Sequence, residues 1–129
     1  MEVNIVAPDK IVFSEKNAKL VTLPGMEGNL GIMNKHSPII TFLRPGLIKI
    51  EGESKSNSSF FITGGVIDFQ DDKLNVLTDL VFNMNEINSD VVNNLKSEAE
   101  EKLKNDNLSD KDIFLANTLI NEIENLNFK

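Results

Sequence analysis

Several residues in this chain have side chains able to do chemistry, and their spacing decides whether they do. His36 stands beside Ser37 and is the single histidine. A serine nucleophile needs a base within hydrogen-bond reach. Neighbours in an extended turn point apart, so His36-Ser37 does not make a dyad, and His36 reads as a turn or interface residue. Asp71-Asp72 and Glu100-Glu101 are acid pairs in sequence, the first read as a turn and the second as a solvated helix face. Asn105-Asp106-Asn107 lacks the glycine and terminal glutamate of a calcium loop. With one histidine and no cysteine there is neither an imidazole cluster nor a thiolate set for a metal. The expectation is therefore no catalytic residue, no cofactor and no metal; if the chain belongs to an enzyme, it does so as a subunit.

The stretch from Leu23 to Pro38 is denser in signal. Gly25, Gly28 and Gly31 recur at a spacing of three, Pro24 precedes the first, and His36-Ser37-Pro38 closes the run. A phosphate-cradling loop would need Gly-Lys-Ser/Thr and a following helix. A dinucleotide fingerprint needs G-x-G-x-x-G between strand and helix. Neither pattern is present. The stretch reads as a compact β–β connection, a tight loop crossing between sheets.

The elements around it follow from periodicity. Val3, Ile5 and Ala7 alternate with Asn4 over residues 2–7, a first strand turned by Pro8-Asp9. Short strands follow at Lys10 to Phe13, Asn17 to Leu23 and around Leu30 and Ile32. Ile39 to Leu43 looks buried and is broken by Arg44-Pro45-Gly46; Leu47, Ile48 and Ile50 resume. Gly52 to Ser59 reads as an exposed hairpin tip. Phe60 to Thr63, a Gly64-Gly65 break, Val66 to Phe69, the Asp71-Asp72 turn, and a last strand from Leu74 that ends near Asp79 complete a β-sandwich or flattened barrel.

Near Asn85 the pattern changes. Glycine and proline vanish, and Ile87, Val91, Leu95, Ala99 and Leu103 fall at i+4 steps, one stripe of a helix. Ser109 with Asp112 three residues on resembles a capping box. It opens a second helix, about Asp110–Asn127, with Ile113, Ala116, Ile120 and Ile123 on one stripe and Leu119 and Leu126 widening it. The fold class is α+β: an N-terminal flattened β-sandwich, residues 1–85, followed by a C-terminal antiparallel two-helix hairpin, residues 86–129.

Size and charge narrow the function. The chain has 129 residues, 40% hydrophobic, and a net charge of −7. Residues 86–129 hold ten acids and five bases, so −5 of that charge lies in the helical part. No basic stripe for nucleic acid exists, anionic lipid would repel the surface, and no apolar run approaches the ~20 residues of a membrane span. The N-terminus lacks the regions of a signal peptide, so a soluble intracellular protein is expected.

Pro24-Gly25-x-Glu27-Gly28-x-Leu30-Gly31-Ile32 followed by His36-x-Pro38 resembles the epsilon subunit of F-type ATP synthases. Further blocks agree: Pro45-Gly46-x-Ile48-x-Ile50, Gly64-Gly65-Val66-Ile67-Asp68-Phe69, Val76-Leu77-Thr78-Asp79, and the opening Val3-Asn4-Ile5-Val6-x-Pro8 with Phe13-Ser14. The resemblance covers the β part; the helical part fits by architecture. It implies a central-stalk rotor component that couples proton-driven ring rotation to ATP synthesis, with no active site of its own. Its partners would be the gamma subunit of the stalk and the ring of membrane c subunits. The loop Glu27-Gly28-Asn29-Leu30-Gly31 would meet the ring, and His36 and Thr41 would lie against gamma. Asn29 departs from the commonly acidic residue of the family, which removes a charge from that contact. The implied location is peripheral, on the cytoplasmic face of a bacterial inner membrane or a stromal-type face, with no direct membrane insertion.

In many relatives the hairpin also blocks ATP hydrolysis, through basic side chains that reach acidic loops of the alpha/beta catalytic subunits. Here the second helix has Lys111 as its only base, against Asp110, Asp112, Glu122 and Glu124, so such insertion would be repelled. Some relatives bind ATP with Asp-x-x-Arg-Ala; this chain has Asp90-Val91-Val92-Asn93-Asn94, and its one arginine is Arg44, so no ATP binding of that kind is expected. Two other classes compete with the rotor reading. One is a stand-alone β-sandwich binding module with a helical dimerisation hairpin. The other is a hydrolase, whose base only His36 could supply.

Overall fold

Alternation at the start of the chain becomes strand β1 (Glu2–Ala7), which sends Val3 and Ile5 inward, both fully buried. In the computed structural model, which describes residues 1–53 and 57–126, nine further strands follow among the described residues. They are β2 (Lys10–Glu15), β3 (Leu20–Gly25), β4 (Gly28–Met33), β5 (Ile39–Leu43), β6 (Gly46–Glu51), β7 (Asn57–Ile62), β8 (Gly65–Gln70), β9 (Lys73–Leu77) and β10 (Val81–Asn83). Helices α1 (Ser89–Leu103) and α2 (Asp110–Glu124) close the chain. The fold is α+β, a β-sandwich followed by two packed helices.

The strands form one path, β10-β7-β6-β3-β5-β8-β9-β1-β2, with β4 on the other edge of β3. The path folds over where β3 meets β5, through the single pair Gly25↔Leu43. Residues from both layers then share one core, and rings from the far ends of the path meet, Phe13 and Phe60 lying 5.0 Å apart.

Several local expectations shift. The glycine stretch does not cross between layers; β3 and β4 are neighbours in one layer, and the crossing is made by the segment from Asn34 to Pro38, between β4 and β5. Strand β7 begins at Asn57, earlier than the polar composition implied, and the middle of the expected tip, residues 54–56, lies outside the described residues. The strand at Val81–Asn83 was not foreseen, because three residues carry too little period; its pairing with β7 makes it. Strand β3 starts at Leu20, not Asn17.

The helix stripes are also offset. Ile87 precedes α1, where Asn88 caps the helix by accepting a hydrogen bond from the Val91 amide at 3.0 Å. Ile87 and Val92, at N′ and N4, are both buried in one cluster, the arrangement of a hydrophobic staple. Val92 therefore takes the buried place that a strict i+4 count assigns to Val91. Ser109 caps α2 as its spacing implied, its Oγ accepting from the Asp112 amide at 3.1 Å. α2 ends at Glu124, and the expected end at Asn127 lies outside the described residues. The hairpin lies down on the sandwich: Val92, Leu95 and Ile123 pack on Phe61 of β7, flanked by Leu47 and Phe82.

Candidate functional site

Strands β3 and β4 pair from Leu20↔Met33 to Gly25↔Gly28, leaving only Met26 and Glu27 outside the ladder. The tip is therefore a two-residue hairpin. Gly25 is required by close approach, since a Cβ there would sit 2.6 Å from the Gly28 carbonyl oxygen. Gly28 has φ +139°, which favours glycine. Glu27, Gly28 and Asn29 are exposed, Leu30 packs against the core, and Gly31 is exposed with room beside it.

Arg44 braces this tip from the start of the next layer. Its Nη1 donates to the Gly25 carbonyl at 2.6 Å and its Nη2 to Asn29 Oδ1 at 2.9 Å. Its backbone amide donates to the Pro24 carbonyl at 2.9 Å, and the Met26 amide to the Phe42 carbonyl at 3.2 Å.

His36 lies at the opposite end of the sandwich, because β4 runs from the tip to Met33 before the chain turns. Its ring stands edge-on to Phe69 with centroids 5.9 Å apart, and Nδ1–H donates to the Ser37 carbonyl at 2.7 Å. The histidine thus bonds main chain in this turn. The described non-glycine residues with positive φ gather here: Lys35, whose amide donates to Asp72 Oδ1 at 2.6 Å, and Asp71 and Asp72. Positive φ at both central residues suits a tight β8–β9 turn, the role expected of this acid pair.

Thr41 sits between these ends with its side chain on the inward face. It pairs with the buried Ile67 and is itself half-buried. The run Ile39 to Leu43, expected to be buried throughout, alternates instead, with Ile40 74% and Phe42 61% exposed. Phe42 begins an apolar row across the outer face: Phe42↔Val66, Val66↔Leu77, Leu77↔Val6, Val6↔Ile11. Ile11 is 65% exposed. The next row is polar and bonded to itself, Ser14 Oγ to Asn4 Oδ1 at 2.7 Å and Asn4 Nδ2 to Asn75 Oδ1 at 3.2 Å. An unbroken apolar row on an outer face is the mark of a surface that meets a partner. The sequence reading did not single out Arg44, Ile40 or Phe42. Strict alternation along β5 would have found the last two; nothing local marks Arg44.

Four residues of the apolar row, Val6, Phe42, Val66 and Leu77, line a groove of about 580 Å³ bounded by Lys111 and Leu115 of α2; its surface is mostly apolar, with Asp79 and Lys111 the charged side chains among the described residues that line it. Lys111 places its Nζ 5.2 Å above the Phe42 ring. Among the described residues no buried side-chain nitrogen or oxygen lacks a hydrogen-bond partner, so no orphaned polar group points into a cavity. Among the described residues the carboxyl held clearly below its ordinary value is that of Glu2, chiefly by the Asn4 amide that donates to it and also by Lys73, 3.6 Å away. The surface offers shape, apolar area and a projecting tip.

Residues 1–83 match the family model of the ATP synthase delta/epsilon chain beta-sandwich domain. The chain is 34% identical over 126 residues to the ATP synthase epsilon chain of Pelagibacter ubique, covering 98% of this chain and 96% of that one. It is 35% identical over 105 residues to the ATP synthase epsilon chain of Delftia acidovorans, covering 81% and 75%. A chain of the Tetrahymena thermophila mitochondrial ATP synthase central stalk and c-ring has the same fold, with a TM-score of 0.67 at 22% identity, covering 96% of this chain and 93% of that one. A chain of the Euglena gracilis mitochondrial ATP synthase OSCP/F1/c-ring assembly aligns with a TM-score of 0.71 at 18% identity, covering 95% and 76%.

Proposed function

The chain belongs to the ATP synthase epsilon chain family, and we propose that it works as a non-catalytic rotor part of the central stalk, carrying torque between a gamma-type shaft and a ring of c subunits. The observation that carries this reading is the apolar row running from Phe42 to Ile11 across the outer face, with Ile40 exposed beside it. Such a face suits a lasting apolar contact with the shaft. His36 and Thr41 border that contact; Thr41 supports β5 from the core side, and Ile40 and Phe42 make the touch.

The tip Glu27-Gly28-Asn29-Leu30-Gly31 is the ring-facing element. Glu27 offers an ion pair to basic ring loops, worth only about 0–1 kcal/mol at such an exposed site. Docking there rests on shape. Gly31, whose nearest neighbour to an added Cβ is Leu20 Cδ1 at 3.6 Å, has no need within the fold to be glycine, which fits close approach of a partner.

The chain divides in use at about residue 85, the sandwich for coupling and residues 86–129 as an accessory. α2's only base, Lys111, lies over Phe42, and its acids would oppose insertion among acidic loops of the catalytic alpha/beta subunits. The hairpin is therefore not a brake on hydrolysis. No helix among the described residues is long and apolar enough to cross a membrane, and the protein sits peripherally, at the cytoplasmic face of a bacterial membrane or its stromal equivalent.

Stoichiometric co-purification with a gamma-type subunit tests the reading. Phe42→Asp with Ile40→Asp, both at exposed positions, is expected to abolish it; retention of the partner would overturn the face assignment. Removal of everything after Asn85 is expected to leave ATPase activity of the assembled complex unchanged, and a several-fold rise would establish a brake.

A further inference from the structure

We propose that Arg44 is the positioning residue of the ring-facing tip, and that Asn29 serves as one of its two acceptors there. This deepens the rotor reading and rests on it. Among the described residues β4 pairs with β3 alone, so the outer edge of this two-residue hairpin carries no further strand. A part that transmits force through Met26 and Glu27 needs a second brace. Arg44 supplies it from the other layer: one guanidinium nitrogen reaches the Gly25 carbonyl at 2.6 Å and another reaches Asn29 Oδ1 at 2.9 Å, one acceptor on each strand of the hairpin. The Arg44 and Met26 backbone amides add bonds to the Pro24 and Phe42 carbonyls. All four cross the fold-over of the sheet, so the tip is tied to β5, the strand that carries Ile40 and Phe42 on the shaft-facing side. The two docking surfaces are thereby one rigid piece.

The geometry needs an arginine. A planar fork can serve two acceptors on different strands at once, whereas an ammonium is a single point. Both acceptors are uncharged, so the brace is made without an ion pair.

Amide hydrogen exchange of the full chain tests the brace directly. In Arg44→Ala the amides of Met26 to Gly31 are expected to exchange about ten-fold faster or more, the loss of charge-assisted bonds, while strands β1, β8 and β9 keep their protection. Asn29→Ala is expected to move the same amides in the same direction by less, and Arg44→Lys to restore protection in part. Asn29→Asp, which supplies a charged acceptor, is expected to slow them below the starting rate. Unchanged exchange in both alanine variants overturns the proposal. Should Arg44→Ala fail to fold, Asn29→Ala and Asn29→Asp decide it alone, and equal exchange in those two overturns it.

In the assembled synthase, protons pumped per ATP hydrolysed are expected to fall at least about two-fold in Arg44→Ala, with partial rescue by Arg44→Lys. If exchange at the tip rises and pumping stays intact, Arg44 braces the fold without positioning a coupling element, and that too overturns the proposal. Replacing Met26-Glu27 by Gly-Gly separates the two ideas. Intact pumping in that variant removes the ring contact from the rotor reading, whatever Arg44 does.

Discussion

In the sandwich, sixteen buried hydrophobic residues among those described share one core, most of them with no exposed surface. In the helical hairpin Val92, Leu95 and Ile123 bury themselves only with help, against Ile87 and the Phe61 ring of β7. At about 1.5–3 kcal/mol for each fully buried large apolar side chain, the first cluster outweighs the second several-fold. Helices of 15 residues are marginal alone in water. The hairpin therefore borrows its stability from one face of the sandwich, and the sandwich owes the hairpin little. A coupling piece that must stay rigid belongs in the first region, and an accessory that can change without loss of coupling belongs in the second.

Phe61 is where this difference is most easily broken. Phe61→Ala is expected to cost about 3–5 kcal/mol. Amide exchange should rise throughout α1 and α2 while β1, β8 and β9 stay protected. Equal loss of protection in both regions would mean that they fold as one unit.

The second contrast lies inside the sandwich. Gly25→Ala drives a Cβ against the Gly28 carbonyl oxygen, and a cost of about 1–3 kcal/mol is expected in urea unfolding. Gly31→Ala meets only ordinary contact with Leu20, so it should be neutral or stabilise by about 0.4–1 kcal/mol. Equal costs would show that all three glycines are demanded by the fold.

The hairpin can be weakened at its cap. Ser109→Ala removes the acceptor for the Asp112 amide and is expected to cost about 1 kcal/mol, seen as faster exchange in the first turn of α2 alone. Spread of the effect into β7 would show tighter coupling of the two regions than the core sizes imply.

The smallest effect is electrostatic. Asn4 and Lys73 hold the Glu2 carboxyl below its ordinary value. A carboxyl lowered on folding stabilises the folded state above its unfolded value of about 4.3. That contribution fades as pH falls through the lower folded value. Glu2→Gln should thus flatten the acid limb of the stability profile slightly and change nothing in its alkaline limb, checked by melting temperature against pH.

Much of this architecture is readable along the chain. The alternation of Val3 and Ile5, the Asp71-Asp72 turn, the Ser109 cap and the change of period near Asn85 are local patterns, and each appears in the structure in its expected role. The misreadings share one cause. Val81–Asn83 is too short to show a period and becomes a strand by pairing with Phe60 to Ile62. Ile39 to Leu43 is apolar on both faces, so alternation was hidden in the letters, and only pairing with β8 sorts Thr41 inward and Phe42 outward. Of the candidate site, Glu27 to Gly31 stood out through its glycines. The outer row did not, because its five residues come from five strands. Arg44 did not because its two acceptors lie 15 and 19 positions away.

By itself the sequence determined where both helices and every described strand but β10 lie, the Ser109 cap and the Asp71-Asp72 turn, and the family to which the chain belongs. These depend on propensities and spacings within a few residues. Tertiary structure alone decided which face of β5 is left bare, which strand seats the hairpin, and which carbonyls Arg44 holds. Those outcomes depend on register between segments distant along the chain, and register is settled only when the two layers close on a shared core.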